Sequence, residues 1–103
     1  MAEKEYLIPY SKDVRKRHYH KTVRGTVLKF MVQLEVKHEG RWREVVRYDC
    51  AHNYAHRDSY NLRGKHSKES LYLRFEDALN LADDDIDDNW EVYKDRFLQG
   101  GFP

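Results

Sequence analysis

The stretch FEDALNLADDDIDDNWEVYKDRFL, residues 75–98, decides the fold of this 103-residue chain. Lys94 and Arg96 lie near its end and Gly100-Gly101 follow it, which matches the charge preference and the stop signal of a helix. Its apolar residues recur at intervals of three or four and form one helical stripe: Phe75, Leu79, Ala82, Ile86, Trp90, Tyr93 and Phe97. The pattern predicts a single amphipathic C-terminal helix over residues 75–98.

Before this helix, apolar and polar residues alternate with a period of two, which is typical of strands. The clearest strand covers residues 27–37, and a turn at 38–41 leads into a returning strand at 42–50. A second, weaker hairpin is expected within residues 56–74. On the returning strand, strict alternation predicts one shared face: Trp42, Glu44, Val46, Tyr48 and Cys50.

These signals predict the α+β class. We expect an antiparallel sheet of about four to five strands, formed by two hairpins within residues 19–74, with the long C-terminal helix packed on one face. Residues 19–103 form the expected single α+β domain. Residues 1–18 are expected to be a basic N-terminal arm or an edge strand, because Pro9 lacks the amide hydrogen that a central strand donates.

The composition favours a folded protein of the cytoplasm. With 40% hydrophobic and 14% aromatic residues, the chain lacks the signature of disorder. Cys50, the lone cysteine, has no partner for an internal disulfide, and no apolar leader segment follows the first residues. No apolar run approaches the roughly 20 residues of a membrane-spanning helix. We therefore expect a cytoplasmic protein with no membrane partner.

The net charge of +1 hides an asymmetry along the chain. Residues 1–74 hold 17 Lys and Arg against 9 Asp and Glu, whereas residues 75–103 hold 2 against 9. One interpretation is a basic sheet surface for an anionic partner such as RNA. The other is that the two halves neutralise each other inside the fold.

The basic residues cluster in one run that also contains an aromatic ring. Cations beside an aromatic suit contact with phosphates and stacking on an unpaired base. The predicted RNA-binding residues are therefore Arg15, Lys16, Arg17, His18, Tyr19, His20 and Lys21. The alternative is an ordinary solvated arm.

The acidic run at residues 83–88 lacks the glycine and final glutamate of a calcium-binding EF-hand loop. On the predicted helix, acidic residues that include Asp84, Asp88 and Glu91 lie opposite the apolar stripe. A solvated face is the default interpretation, and the alternative is docking of a basic partner or of this chain's own residues 15–17. No metal site is predicted for this run.

The segment at residues 47–58 concentrates histidine, aspartate and arginine where a strand ends in a loop, and such junctions often hold functional sites. Cutting RNA without a metal requires an acid, a base and cations for the phosphate charge. His52 and His56 are the candidate acid–base pair, Arg47 and Arg57 the phosphate contacts, and Asp49 the residue that orients an imidazole.

Two other interpretations of this segment remain open. Histidines four residues apart also suit zinc, with Asp49 or Asp58 completing the site. Alternatively, the histidines and aspartates satisfy backbone groups of the turn and the arginines pair with acids. The prediction adopted is catalysis without metal or cofactor.

Residues 40–49, Gly-Arg-Trp-Arg-Glu-Val-Val-Arg-Tyr-Asp, followed by His52 and by Asn89-Trp90-Glu91, resemble small bacterial and archaeal proteins of families of unknown function. This resemblance extends from about Tyr19 onward. More distantly, Arg47-Tyr48-Asp49 with His52 beyond is similar to the TumE-like toxins of type II toxin-antitoxin systems. The chain departs from the toxin pattern in having Cys50-Ala51 after the aspartate and no adjacent histidine pair.

The toxin resemblance implies a protein that acts on RNA or translation and is neutralised by a DNA-binding antitoxin. Together with the cluster at residues 47–58, it leads to the hypothesis of a toxin-like endoribonuclease. The alternative is a non-catalytic interaction or regulatory module that binds a protein through the exposed sheet face or the acidic helix surface. Edge strands in so small a sheet also suggest a homodimer.

Overall fold

The computed structural model describes residues 1–103 and contains one antiparallel sheet followed by one long helix. The class is therefore α+β, as predicted. A short turn, Ala51–Asn53, lies in the loop between the fourth and fifth strands. The main elements are β1 (Ala2–Ser11), β2 (Val14–Val23), β3 (Thr26–His38), β4 (Arg41–Asp49), β5 (His56–Tyr60), β6 (His66–Ser70) and α1 (Phe75–Leu98).

The six strands form a meander in the order β1-β2-β3-β4-β5-β6, where four to five strands were predicted. The additional pairing is at the N-terminus, where β1 runs antiparallel to β2 from Ala2 opposite Thr22 to Ser11 opposite Val14. Pro9 is compatible with this position because β1 is an edge strand and one side of it donates to no neighbour. The basic run at residues 15–21 lies within β2 rather than in an arm.

An extra residue in β4 changes which side chains share a face. Leu34 of β3 lies opposite Val46, whereas Glu35 lies opposite Glu44, so Val45 is the additional residue of a β-bulge. The predicted common face of Trp42, Glu44, Val46, Tyr48 and Cys50 is therefore wrong. Trp42 instead lies on the same face as Arg15, whose guanidinium carbon is 3.9 Å from the centre of the indole ring. Strict alternation fails at the bulge.

The core lies between α1 and one face of the sheet. Helix residues Ala78, Ala82, Ile86 and Phe97 are fully buried there. Burying each large apolar side chain contributes roughly 1.5–3 kcal/mol. The facing sheet residues are Val14, Phe30, Val32, Leu34, Val36, Val46 and Tyr48. We call the opposite side of the sheet the open face.

Part of the charge asymmetry is neutralised inside the fold. Lys16 on β2 places its Nζ 2.8 Å from Asp87 and 3.1 Å from Asp83, both on α1. Burial works to lower the pKa of Lys16, but its hydrogen bonds to Asp87 and Asp83 outweigh burial and raise that pKa. In contrast, Asp84 and Asp88 are exposed.

No helix in the structure is both long and apolar enough to span a membrane.

Candidate functional site

The open face carries a nearly continuous network of polar side chains that crosses the sheet from β2 to β6, which we call the open-face network. A side-chain nitrogen or oxygen of each member lies within 3.5 Å of one on the next. Several members are buried even though no helix covers this face. In order across the sheet, the members of the open-face network are Arg15 and Arg17, Glu35, Gln33, Arg47, Asp49, His56, Asp58 and His66.

Glu35 is the centre of the β2–β3 part of the open-face network. Its carboxylate accepts hydrogen bonds from Arg15 Nε at 2.6 Å, Arg17 Nε at 3.0 Å and Gln33 Nε2 at 2.6 Å. Burial would raise the pKa of Glu35, but these donors outweigh burial and lower it. The carboxylate is therefore charged at neutral pH and holds two arginines on the open face.

Asp49 is the centre of the β4–β5 part. Arg47 Nε donates a hydrogen bond to Asp49 Oδ2 at 2.7 Å. On the other side, His56 Nε2 lies 2.6 Å from Asp49 Oδ1. The strand register produces this contact, because Asp49 lies directly opposite His56 across the β4–β5 pair.

A cleft of about 500 Å³ opens where β4 ends, and Arg47, Asp49, His52 and Tyr19 are among the residues that line it. His52 and Asn53 form part of the loop before β5, and both have a left-handed backbone with φ of 68°. Such a conformation is uncommon for residues other than glycine, although asparagine and histidine adopt it more often than most. The loop leaves His52 exposed at the cleft.

The structure brings some of the predicted catalytic residues together and separates others. Arg47, Asp49 and His52 share the cleft. His56 is not a lining residue; it is buried behind Asp49 and reaches the cleft only through that carboxylate. Arg57 lies on the opposite side of the sheet, where its Nε donates to the Tyr48 hydroxyl at 3.1 Å. The predicted histidine pair therefore does not converge on one space.

The predicted RNA-binding run divides between the two faces of β2. On the helix side, Lys16 pairs with α1 and His18 Nδ1 lies 3.1 Å from Asp83. His18 Nε2 lies 2.6 Å from His20 Nδ1. On the open face, Arg15 and Arg17 bind Glu35, and Tyr19 lines the cleft. By the same strand alternation Lys21 lies on the open face, with its Nζ 3.9 Å from Glu3 Oε1.

Several members of the open-face network were not predictable from the sequence. Gln33, Glu35 and His66 lie on strands outside the predicted cluster, and only strand pairing brings them to it. The sequence predicts a role for Asp58 only under the zinc interpretation. A short loop between Asp49 and His56 was the one available signal, because a tight antiparallel connection places the flanking residues opposite each other.

No curated protein and no solved structure was found to match this chain. A family model described as a domain of unknown function, DUF7718, matches residues 1–103. The chain therefore belongs to the DUF7718 family.

Proposed function

We propose that this protein acts on RNA, which it binds across the open face and cleaves at the cleft beside His52. The main support is that Arg47, Asp49 and His52 line one cleft. The cleft borders a sheet face on which arginine and aromatic side chains are interleaved. Single-stranded RNA is commonly bound in this way, with bases stacked on aromatic rings and phosphates held by cations.

Binding would use residues that remain accessible on and beside the open face. Lys29 and Tyr19 line the cleft, and Lys29 is exposed. Trp42 is half-buried and already carries the Arg15 guanidinium over its ring. Lys16 and His18 do not contact RNA in this arrangement, because both are buried and paired with α1.

The proposed chemistry is transesterification. His52 takes the proton of a ribose 2′-hydroxyl, and the 2′-oxygen then attacks the adjacent phosphorus. The bond from phosphorus to the 5′-oxygen breaks, and that oxygen takes a proton from water in the open cleft. The products are a 2′,3′-cyclic phosphate and a 5′-hydroxyl. Arg47, held by Asp49, stabilises the charge that develops on the phosphate oxygens.

The similarity of Arg47-Tyr48-Asp49 and His52 to TumE-like toxins supports a related biological role. In this proposal the protein restrains growth by cutting RNA, and an antitoxin-type protein neutralises it. Induction of the chain alone should slow growth, and the variant His52→Gln should relieve this effect. Normal growth on induction of the wild type, with the protein present in soluble form, would contradict the toxin role.

The direct test is cleavage of a labelled single-stranded RNA by purified protein. His52→Gln should lower the rate by roughly 10²–10⁴-fold, the usual contribution of a general base. His38→Gln is the matched control, because His38 lies at the far end of β3 from the cleft residue Phe30. Intact RNA after incubation with wild-type protein, or equal loss of activity in both variants, would rule out the cleavage proposal.

One observation favours a second candidate, a non-catalytic module that binds an antitoxin-type protein. The outer side of β1 pairs with no strand of the chain, and Tyr6, Leu7 and Ile8 on it are exposed. A partner strand could extend the sheet here. Leu7→Lys should weaken such a complex while His52→Gln leaves it intact. Sedimentation separates this outcome from β1 pairing between two copies.

A further inference from the structure

Asp49, His56 and Asp58 form a compact buried cluster at the β4–β5 pair. Their exposed fractions are 7%, 2% and 5%. One potential ligand atom from each residue lies within 4.8 Å of the other two. Charged side chains of this kind are rarely buried unless they are paired or bind an ion, because removal from water is costly.

The ring nitrogens of His56 are the unusual feature of this cluster. Nε2 lies 2.6 Å from Asp49 Oδ1, and Nδ1 lies 3.4 Å from Asp58 Oδ2. Nevertheless, neither nitrogen has a partner with hydrogen-bond geometry, although both are buried. In a hydrogen bond, the nitrogen points at the oxygen. A metal ion would give one of these nitrogens a partner, because in a metal site the lone pairs of neighbouring ligand atoms point at a third position, which the ion occupies.

The other oxygens of both carboxylates have partners outside the cluster. Asp49 Oδ2 accepts the hydrogen bond from Arg47, and Asp58 Oδ1 lies 3.1 Å from His66 Nε2. The remaining oxygens, Asp49 Oδ1 and Asp58 Oδ2, are those nearest to His56. Asp49 Oδ1 also accepts a long hydrogen bond, at 3.4 Å, from the backbone N–H of Ala51. Metal-binding carboxylates are commonly oriented in this manner by residues that do not touch the metal.

We propose that Asp49, His56 and Asp58 bind one divalent transition-metal ion, with zinc as the preferred occupant. One imidazole nitrogen and two carboxylate oxygens are ligands that Zn²⁺ accepts, whereas Ca²⁺ and Mg²⁺ prefer oxygen alone. Two carboxylates balance the double charge of the ion, and a metal ion binds imidazole in its neutral form. Three protein ligands leave one position of a tetrahedral ion for water. Arg47 and His66 act as positioning residues.

This site shares Asp49 and Arg47 with the proposed RNA-cleaving site but goes beyond the proposed function, because zinc binding can be measured without RNA. His52 and Lys29 are not part of it, so loss of RNA cleavage in His52→Gln with zinc binding retained would separate the two proposals. The competing arrangement is a protonated His56 held between two carboxylates. That arrangement needs no metal and gives no zinc binding at this position.

The test uses the full chain, prepared without a histidine tag and treated with EDTA. Zinc is then added, with the bound metal counted by mass spectrometry and the affinity measured by calorimetry. We expect one bound equivalent. Asp49→Asn and Asp58→Asn should each lower the affinity at least tenfold, and His66→Gln should lower it less. Asp83→Asn is the matched control, because Asp83 also contacts a histidine, His18, but lies on α1.

Absence of stoichiometric zinc binding to folded wild-type protein would overturn the proposal, as would unchanged binding in both aspartate variants. If those variants fail to fold, wild-type protein provides the test. Cobalt in place of zinc should then give the visible absorption of a four-coordinate site with nitrogen and oxygen ligands, and zinc should raise the melting temperature. Neither effect is expected if His56 is protonated between the two carboxylates.

Discussion

Tyr48 donates its hydroxyl hydrogen to Asp85 Oδ2 across 2.6 Å and thereby links β4 to α1. Asp85 also accepts hydrogen bonds from Tyr93 at 2.6 Å and from Asn89 at 2.9 Å. Burial and the neighbouring Asp85 both raise the pKa of the Tyr48 hydroxyl, so it remains a donor across the physiological range. One aspartate of the acidic run is therefore a structural acceptor at the sheet–helix interface.

Removing this hydroxyl should destabilise the fold. Tyr48→Phe deletes a hydrogen bond to a charged acceptor, and such bonds contribute about 1.5–3 kcal/mol. Urea unfolding measures the loss. Tyr72→Phe is the control, because Tyr72 is 92% exposed and its variant should change stability by less than about 0.5 kcal/mol. Equal stability of the two variants would contradict the role given to Tyr48.

The apolar stripe of α1 should be sensitive to cavities. Ile86 is fully buried against the sheet, so Ile86→Ala should lower the free energy of unfolding by about 2–5 kcal/mol. Leu81 is 42% exposed and provides the control. Leu81→Ala should be much milder in the same thermal or urea unfolding experiment. A similar loss in both variants would mean that α1 is packed differently.

Glu35 should make the free energy of unfolding depend on pH. Its folded pKa is lowered, so its contribution is present at neutral pH and is lost as the pH falls below the unfolded value of about 4.3. Wild type and Glu35→Gln should therefore differ most near pH 7 and converge in acid. Unfolding measured from pH 7 to pH 3 tests this. The variant of the exposed turn residue, Glu39→Gln, should follow the wild-type curve.

Lys29 should contribute to RNA binding without base specificity. If Lys29 contacts one phosphate of a single strand, Lys29→Ala should reduce the slope of log affinity against log salt by roughly 0.7. Fluorescence anisotropy with two RNA sequences at several salt concentrations measures this change. The exposed Lys12 of the β1–β2 turn is the control, and Lys12→Ala should bind as the wild type does.

The helix was predictable because each local signal in residues 75–98 agrees with the others. Its apolar spacing, charged ends and following glycines all predict the bounds that the structure shows, Phe75–Leu98. The strand at 27–37 was predictable for the same reason, because its alternation matches β3, Thr26–His38. The number of strands was not predictable, because Pro9 and the cations of residues 15–17 interrupt the apolar–polar pattern of β1 and β2.

The candidate site was only partly predictable because it depends on strand pairing. Types and spacing of residues were sufficient to select Arg47, Asp49 and His52, which share the cleft. However, Arg57 is next to His56 in sequence, and alternation within β5 sends the two to opposite faces. The bulge at Val45 has no distinctive sequence pattern, so the position of Trp42 on the open face required the structure.

The meander order has a consequence for how this chain folds. Every strand pairs with the strand that precedes it, so the sheet can grow by successive hairpins with little cost in loop closure. We therefore expect a low contact order for the sheet and rapid folding for a β-rich domain. During synthesis, all six strands leave the ribosome before α1. The apolar face of the sheet consequently stays open to water, and to chaperones, until the final helix emerges.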